Sequence, residues 1–277
     1  MSVTCLSEPA PAKLNLALHV TGRRTDGYHL LDSLVCFTSL GDELRLSPGP
    51  LSLSIDGPFG DGLAVDDDNL CLRAARLAGA DIGICLTKNL PVASGIGGGS
   101  ADAAAVLRGL ERLGHALPAD LQQLGADVPV CLASVPARMQ GIGERIVPLP
   151  ALPPLHLVLV NPGVALSTPQ VFAALEQREN PALPEIPDFA AAEALIRWLR
   201  GTRNDLEAPA RHLAPVIGEV LAALNAMGAG FARMSGSGAT CFGIFDTAPR
   251  AAESAETLQR HGWWAMATEL AQPPVPG

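Results

Sequence analysis

Polar and apolar positions alternate between residues 12 and 20, where Lys13, Asn15 and His19 fall between Leu14, Leu16, Leu18 and Val20. A period of two predicts a strand with the leucines on the core face, which places Lys13 and Asn15 together on the other face. The same pattern predicts strands at 31–40 and 43–47, on either side of a Gly41-Asp42 turn, and at 51–55, 82–88, 135–140 and 145–149. Helical spacing takes over after residue 100. Ala103, Val106, Leu107, Leu110 and Leu113 recur on one face, and Ser100 stands where a cap belongs. Asp66-Asp67-Asp68-Asn69 predicts a helix opening on acidic residues and running to about residue 77, and a shorter helix is predicted at 118–124.

Prolines crowd residues 148–154, which places a domain boundary there and predicts domains 1–152 and 153–277. Beyond it the pattern predicts a strand at 155–160 and helices at 168–176, 189–199 and 213–227. Strands at 230–234 and 240–245 then flank the turn Ser235-Gly236-Ser237-Gly238. A helix near 251–260, a strand near 263–269 and a loose tail, 271–277, complete the reading. Strands and helices mix without strict βαβ alternation, so both halves are expected to be α+β.

Composition narrows the class. The 277 residues are 48% hydrophobic and 17% charged, which suits a folded chain with one large core or two ordinary ones. No run of about twenty apolar residues predicts a membrane span, and residues 1–11 show no basic segment followed by an apolar one. A net charge of −9 argues against nucleic acid as a partner. The six cysteines are scattered without a CxxC pair, as expected of free thiols in a reducing cytoplasm. The histidines lack zinc spacing. Of the 19 basic residues only Lys13 and Lys88 are lysines. Their placement, in the first strand and just ahead of a glycine loop, favours a role for a compact ammonium.

That loop carries the strongest chemical signal. Ala93-Ser94-Gly95-Ile96-Gly97-Gly98-Gly99-Ser100 runs directly into the predicted helix. Glycine can enter φ > 0, so successive N–H groups can close around an anion. The helix start adds unpaired N–H groups and about half a positive charge. A Walker A loop would need a lysine after the glycines, and a dinucleotide fingerprint would need glycine where Ser100 stands. The expectation is a nucleoside triphosphate site of another type.

Three blocks in order resemble the GHMP small-molecule kinases: Ala12-Lys13-Leu14-Asn15-Leu16, the glycine loop, and Met234-Ser235-Gly236-Ser237-Gly238-Ala239. Arg23-Arg24-Thr25-Asp26-Gly27-Tyr28-His29-Leu30 and Gly125-Ala126-Asp127-Val128-Pro129 narrow the resemblance to one branch, and Asn204-Asp205-Leu206-Glu207 is similar to it as well. The resemblance implies a two-domain fold: an N-terminal ribosomal-protein-S5-domain-2-like domain, a C-terminal ferredoxin-like domain, and an active site in the cleft between them. The implied activity is ATP- and Mg²⁺-dependent phosphorylation of the 2-hydroxyl on the methylerythritol part of a CDP-linked alcohol, in non-mevalonate isoprenoid precursor synthesis. By position, Lys13 and Asp127 would be the catalytic pair. Pro91, Val92, Ala93, Ser94, Gly95, Ile96, Gly97, Gly98, Gly99, Ser100 and Ala101 would wrap the ATP phosphates, with Asn69 near the adenine and Lys88 beside the loop. Asn15, Tyr28, His29, Thr168 and Phe172 would hold the acceptor substrate. Ser100-Ala101 stands where the family often has two serines, so the metal ligands stay unassigned.

The residue chemistry fits a phosphoryl transfer. A carboxylate must take or orient the hydroxyl proton, and an ammonium beside it would steady charge on the moving group. An anionic substrate also needs a local positive pocket, to which Lys13, Lys88, Arg23 and Arg24 are the candidates. On spacing alone Asp127 could instead cap a helix or a turn after Gly125, Lys13 could be a solvated strand residue, Tyr28 a loop anchor, and 235–238 a plain hairpin. Other expectations in view are a GHMP kinase acting on homoserine, mevalonate or a sugar, and a non-catalytic ligand sensor. The protein would act as a monomer or weak homodimer, without membrane.

Overall fold

The computed structural model describes residues 5–271. In chain order the elements are β1 (Leu6–Arg23), β2 (His29–Pro48), β3 (Ser52–Asp56), α1 (Leu70–Leu77), β4 (Ile82–Thr87), α2 (Gly98–Arg112) and α3 (Val128–Ala133). There follow β5 (Ala137–Gly141), β6 (Arg145–Pro148), β7 (His156–Asn161), α4 (Thr168–Ala173), α5 (Ala192–Arg200), α6 (Glu207–Leu213) and α7 (Val216–Ala226). The last four are β8 (Phe231–Met234), β9 (Cys241–Phe245), α8 (Ala248–Gln259) and β10 (Trp264–Glu269). This mixture is α+β.

Two compact units are interleaved along the chain. The first takes the chain up to Lys13, Leu40–Val92 and Gly97–Ser134; the second takes Leu14–Ser39, Ala93–Ile96 and the chain from Val135 onward. β1 and β2, 18 and 20 residues long, each supply residues to both. Compactness therefore follows the long strands and does not divide the chain once, at the proline-dense join.

In the first unit β3 runs parallel to β4, which pairs antiparallel with the later half of β2 from Glu43↔Thr87 to Pro48↔Ile82. Leu44 and Leu46, with Ile82, Ile84 and Leu86, are buried at alternate positions, as the period of two requires. α1 and α3 both pack on α2. Burial on α2 is wider than one stripe, since Ala101, Ala103, Ala104, Ala105, Val106 and Leu107 are all covered.

Local geometry revises several predicted boundaries in this unit. Gly41-Asp42 does not turn the chain; β2 runs straight through it. A Cβ on Gly41 would collide with the Ala10 carbonyl, so glycine is there for close backbone approach. α2 starts at Gly98 behind Gly97, which caps in the left-handed region (φ 67°), leaving Ser100 inside the first turn. α1 starts at Leu70, capped by Asn69, so the acidic run 66–68 lies ahead of it. The predicted 118–124 helix shortens to a 3₁₀ turn, Leu121–Leu124. α3 was not predicted; Pro129 sits in its first turn, where no N–H is needed.

In the second unit the antiparallel sheet has the order β10-β7-β9-β8. The first part of β2 pairs with β5 from Leu31↔Gly141 to Val35↔Ala137, and β5 pairs with β6. Val158, Val160, Ile217, Val220, Leu224, Phe245 and Leu258 are among the residues of its apolar core. β1 is covered on both faces here, because Asn15, Ala17 and His19 are buried like the leucines between them. The polar members are satisfied internally: Asn15 Nδ2 donates to Ser33 Oγ at 2.8 Å, and His19 Nδ1 lies 2.9 Å from the Pro181 carbonyl. α6 hides from sequence reading because Pro209 interrupts its pattern, and the predicted 213 start of α7 moves to 216, after Pro215. Ala271 N donates to the Phe37 carbonyl; the rest of the predicted tail lies outside the described residues. Among the described residues no helix is long and apolar enough to cross a membrane.

Candidate active site

The first unit brings Lys13 and Asp127 together. Lys13 Nζ lies 3.2 Å from Asp127 Oδ2, with the lysine side chain covered and the aspartate side chain 37% exposed. Asp127 stands at the N-cap of α3, yet its carboxylate makes no capping hydrogen bond there. Gly97 adjoins the pair: a Cβ on it would come within 3.2 Å of Lys13 Cβ and Cε. The glycine is thus required twice, for its left-handed φ and for the room it leaves the lysine. From Gly98 onward the α2 N-terminus offers backbone donors, without a capping side chain over them.

Lys88 is not open to a ligand. Its ammonium is 4% exposed and clasped by Asp42 Oδ2 at 2.5 Å and Asp102 Oδ2 at 2.6 Å. Asp42 Oδ1 also accepts from the Asn89 and Leu90 amides. Burial works against the ammonium, but Asp102 and Asp42 outweigh it and hold the Lys88 pKa above the ordinary lysine value. Burial, opposed by Lys88, pushes the Asp102 carboxyl up to about 7. Asp102 Oδ1 is buried without a hydrogen-bond partner. A Cβ on Gly98 would lie 3.1 Å from Lys88 Nζ, so this cluster supports the very start of α2 from below. Asp42 and Asp102 escaped the sequence reading, the first as a turn residue. The second left one signal, a lone carboxylate in an alanine-rich helical face. Asn69 is engaged in capping: Oδ1 accepts from Cys71 N at 2.9 Å and Nδ2 donates to the Ala64 carbonyl.

In the second unit the middle of the loop is locked to the serine-glycine turn. Ser235 Oγ accepts from Asn15 N at 3.0 Å and donates to the Gly95 carbonyl at 3.1 Å, while Thr240 N donates to the Ser94 carbonyl. A Cβ on Gly95 would meet the Ser235 and Gly238 carbonyls at 2.6 and 2.7 Å; one on Gly236 would meet the Gly95 carbonyl at 2.7 Å. The turn at 235–238 is therefore more than a hairpin between β8 and β9. Two glycine segments interdigitate backbone to backbone.

The same unit holds the other predicted binding residues. Arg24 N donates to the Tyr28 carbonyl and Gly27 N to the Arg24 carbonyl, closing a tight loop that leaves Tyr28 63% exposed. His29 stacks on Phe172, ring centroids 4.7 Å apart and 19° from parallel. Its Nε2 is buried without a partner. Burial lowers the His29 pKa, helped by Arg23 and Arg178, which favours the neutral ring. Thr168, first residue of α4, meets Ser237 Oγ at 2.7 Å. Of the basic residues expected to form a positive pocket, Arg24 pairs with Asp26 at 2.7 Å and Arg23 donates to the Gly27 carbonyl.

Comparison with known proteins gives the family of the chain. The "GHMP kinases N terminal domain" family model matches residues 69–137, and the "GHMP kinases C terminal" model matches 173–262. The chain is 62% identical, over 95% of its own length and 96% of the relative's, to a protein of Paracoccus denitrificans named 4-diphosphocytidyl-2-C-methyl-D-erythritol kinase. A protein of the same name from Ruegeria pomeroyi is 57% identical, over 92% of this chain and 95% of that protein. The chain belongs to this kinase family. A crystal structure of 4-(cytidine 5'-diphospho)-2C-methyl-D-erythritol kinase superposes with a TM-score of 0.78 at 38% identity, covering 96% of this chain and 100% of that one. A homoserine kinase from Cytophaga hutchinsonii, 17% identical with a TM-score of 0.65, shares the fold. As a GHMP kinase the chain is an ATP-dependent small-molecule kinase.

Proposed function

We propose that this kinase transfers the γ-phosphoryl group of ATP to the 2-hydroxyl of 4-diphosphocytidyl-2-C-methyl-D-erythritol, a step of non-mevalonate isoprenoid synthesis. The observation that carries the proposed roles is the Lys13–Asp127 pair, a half-exposed carboxylate held by a covered ammonium next to Gly97. Asp127 accepts the hydroxyl proton as the alcohol oxygen attacks the γ-phosphorus and the bond to the β-phosphate oxygen breaks, releasing ADP. Lys13 offsets negative charge on the moving group. The amides at the start of α2 bind the phosphates. Lys88 contributes indirectly, by fixing that helix start through Asp102 and Asp42.

Mg²⁺ fits this site as a companion of the triphosphate. It keeps several waters and needs only one or two protein oxygens, and no cluster of three metal-ligating side chains occurs among the described residues. Ser100, whose Oγ lies beside Gly125, and Asp127 two residues further on are the oxygens available near the loop. Bound there, the ion would neutralise charge on the β- and γ-phosphates.

The acceptor's cytosine is assigned to Tyr28, His29 and Phe172. A neutral imidazole with an unpartnered, buried Nε2 and a stacked aromatic neighbour suits a base that offers both a hydrogen-bonding edge and a π-face. Homoserine, mevalonate and sugars have no such group. The decisive assay compares wild type with Asp127→Asn on the CDP-linked alcohol, with mevalonate and homoserine in parallel. The variant is expected to bind ATP normally and to lose about 10²–10⁴-fold in kcat. An undiminished kcat removes Asp127 as base, and turnover of mevalonate in place of the CDP-linked alcohol removes the substrate assignment.

A further inference from the structure

The block Asn204-Asp205-Leu206-Glu207 has no part in the reaction above, yet three of its side chains end on backbone. Asn204 Nδ2 donates to the Met234 carbonyl at 2.8 Å and to the Gly236 carbonyl at 2.9 Å, and its Oδ1 accepts from Leu206 N. Glu207 Oε2 accepts from Met234 N at 3.0 Å. Asp205 Oδ2 accepts from Val20 N at 2.8 Å. The backbone joins in, since Leu18 N donates to the Arg203 carbonyl and Asp205 N to the Leu18 carbonyl. The block is thereby laid against β1 as a short parallel bridge and grips both backbone groups of Met234.

What it grips is the turn that meets the binding residues of this unit. Ser235 Oγ takes the Asn15 amide and the Gly95 carbonyl. Ser237 Oγ meets Thr168, whose helix carries Phe172 onto His29. The β8–β9 ladder reaches only to Met234↔Cys241, with one more bond from Ser235 N to the Thr240 carbonyl. Beyond that ladder, residues 236–238 are held by the Asn204 bond to the Gly236 carbonyl, by Gly238 N donating to the Ser235 carbonyl, by the Ser237–Thr168 hydroxyl contact and by the close glycine contacts.

We propose that Asn204 and Glu207 are positioning residues for phosphoryl transfer, acting through the 234–238 turn to set the acceptor subsite. The inference rests on the proposed substrate. The chemistry of each contact dictates an unusual order of variants. Asn204 acts only as a donor toward the turn, so Asn204→Asp removes both donated bonds and sets a carboxylate against two carbonyls, whereas Asn204→Ala only removes the bonds. Glu207 acts only as an acceptor, so Glu207→Gln keeps the bond to Met234 N and Glu207→Ala loses it.

The test measures kcat, KM for the CDP-linked alcohol and KM for ATP in these four variants, together with hydrogen exchange of the 234–238 amides. Asn204→Ala and Glu207→Ala are expected to lose about ten- to hundredfold in kcat over acceptor KM, as a displacement of order an ångström costs, with ATP KM within about threefold of wild type. Asn204→Asp is expected to fall below Asn204→Ala, and Glu207→Gln to recover most of what Glu207→Ala loses. Exchange at 234–238 is expected to quicken in the same order. Equal losses for Asn204→Asp and Asn204→Ala, no recovery with Gln, or an unchanged acceptor KM with only a lower melting temperature would overturn the proposal. Were wild type inert on the CDP-linked alcohol, the substrate reading would fail, and the exchange order alone would decide whether the clamp exists.

Discussion

Asp102 presents the sharpest chemical conflict in the molecule. It is almost fully buried, shares an ammonium with Asp42, and keeps one oxygen without a partner. Removing one member of such a cluster leaves uncompensated charge, whereas neutral replacement of the excess carboxylate does not. Between the ordinary aspartate range and about pH 7 the folded state holds a proton on Asp102 that the unfolded chain has released. This group's contribution to stability therefore falls as pH rises through that window and is level above it. Asp102→Asn is expected to lack the decline: the difference in melting temperature, variant minus wild type, should grow in the variant's favour from about pH 4 to 7 and then stay constant. A difference independent of pH would show that Asp102 carries its charge in the fold as it does in the unfolded chain.

At the scale of the element, the start of α2 shows how much a glycine run can specify. Gly97 and Gly99 look alike in sequence, but their surroundings differ. Gly97 is left-handed and abuts Lys13, while a Cβ on Gly99 would meet only Leu70 Cδ1 at 3.5 Å, an ordinary contact. Gly97→Ala is expected to cost about 1–2 kcal/mol from the left-handed backbone alone, and to lower kcat by displacing the lysine. Gly99→Ala, inside a helix, should be neutral or stabilising by up to about 1 kcal/mol. Denaturant midpoints and kcat for the two variants check this, and equal behaviour would refute it. The existence of most elements was legible because burial on one face imposes a period. Their ends were not. Ser100 looked like a cap because serine usually is one, and the left-handed glycine that displaced it has no side-chain signature. Gly41-Asp42 looked like a turn because the close approach of Ala10 comes from elsewhere in the chain. α3 and α6 were hidden by prolines that a first helical turn accommodates.

Across the whole molecule, ordered motifs revealed the family better than periodicity revealed the architecture. Lys13 and Asp127, 114 positions apart in the chain, are an ion pair in the folded protein. No local pattern predicts that pair; only the resemblance of their flanking blocks did. The interleaving of the compact units is equally invisible in the sequence, because it depends on two strands of 18 and 20 residues whose alternation is regular only over shorter stretches. The clusters around Lys88 and Asn204 escaped for the same reason, being built from side chains that meet only after the chain has folded. One consequence reaches the bench. Both lysines are covered, and the rest of the 19 Lys and Arg side chains are arginines. Amine-directed acylating reagents should therefore leave the lysine side chains of the native protein almost untouched. Slow incorporation at Lys13, read by peptide mass spectrometry and suppressed by nucleotide, would make that residue a built-in reporter of occupancy; rapid labelling of Lys88 in the native state would contradict its burial.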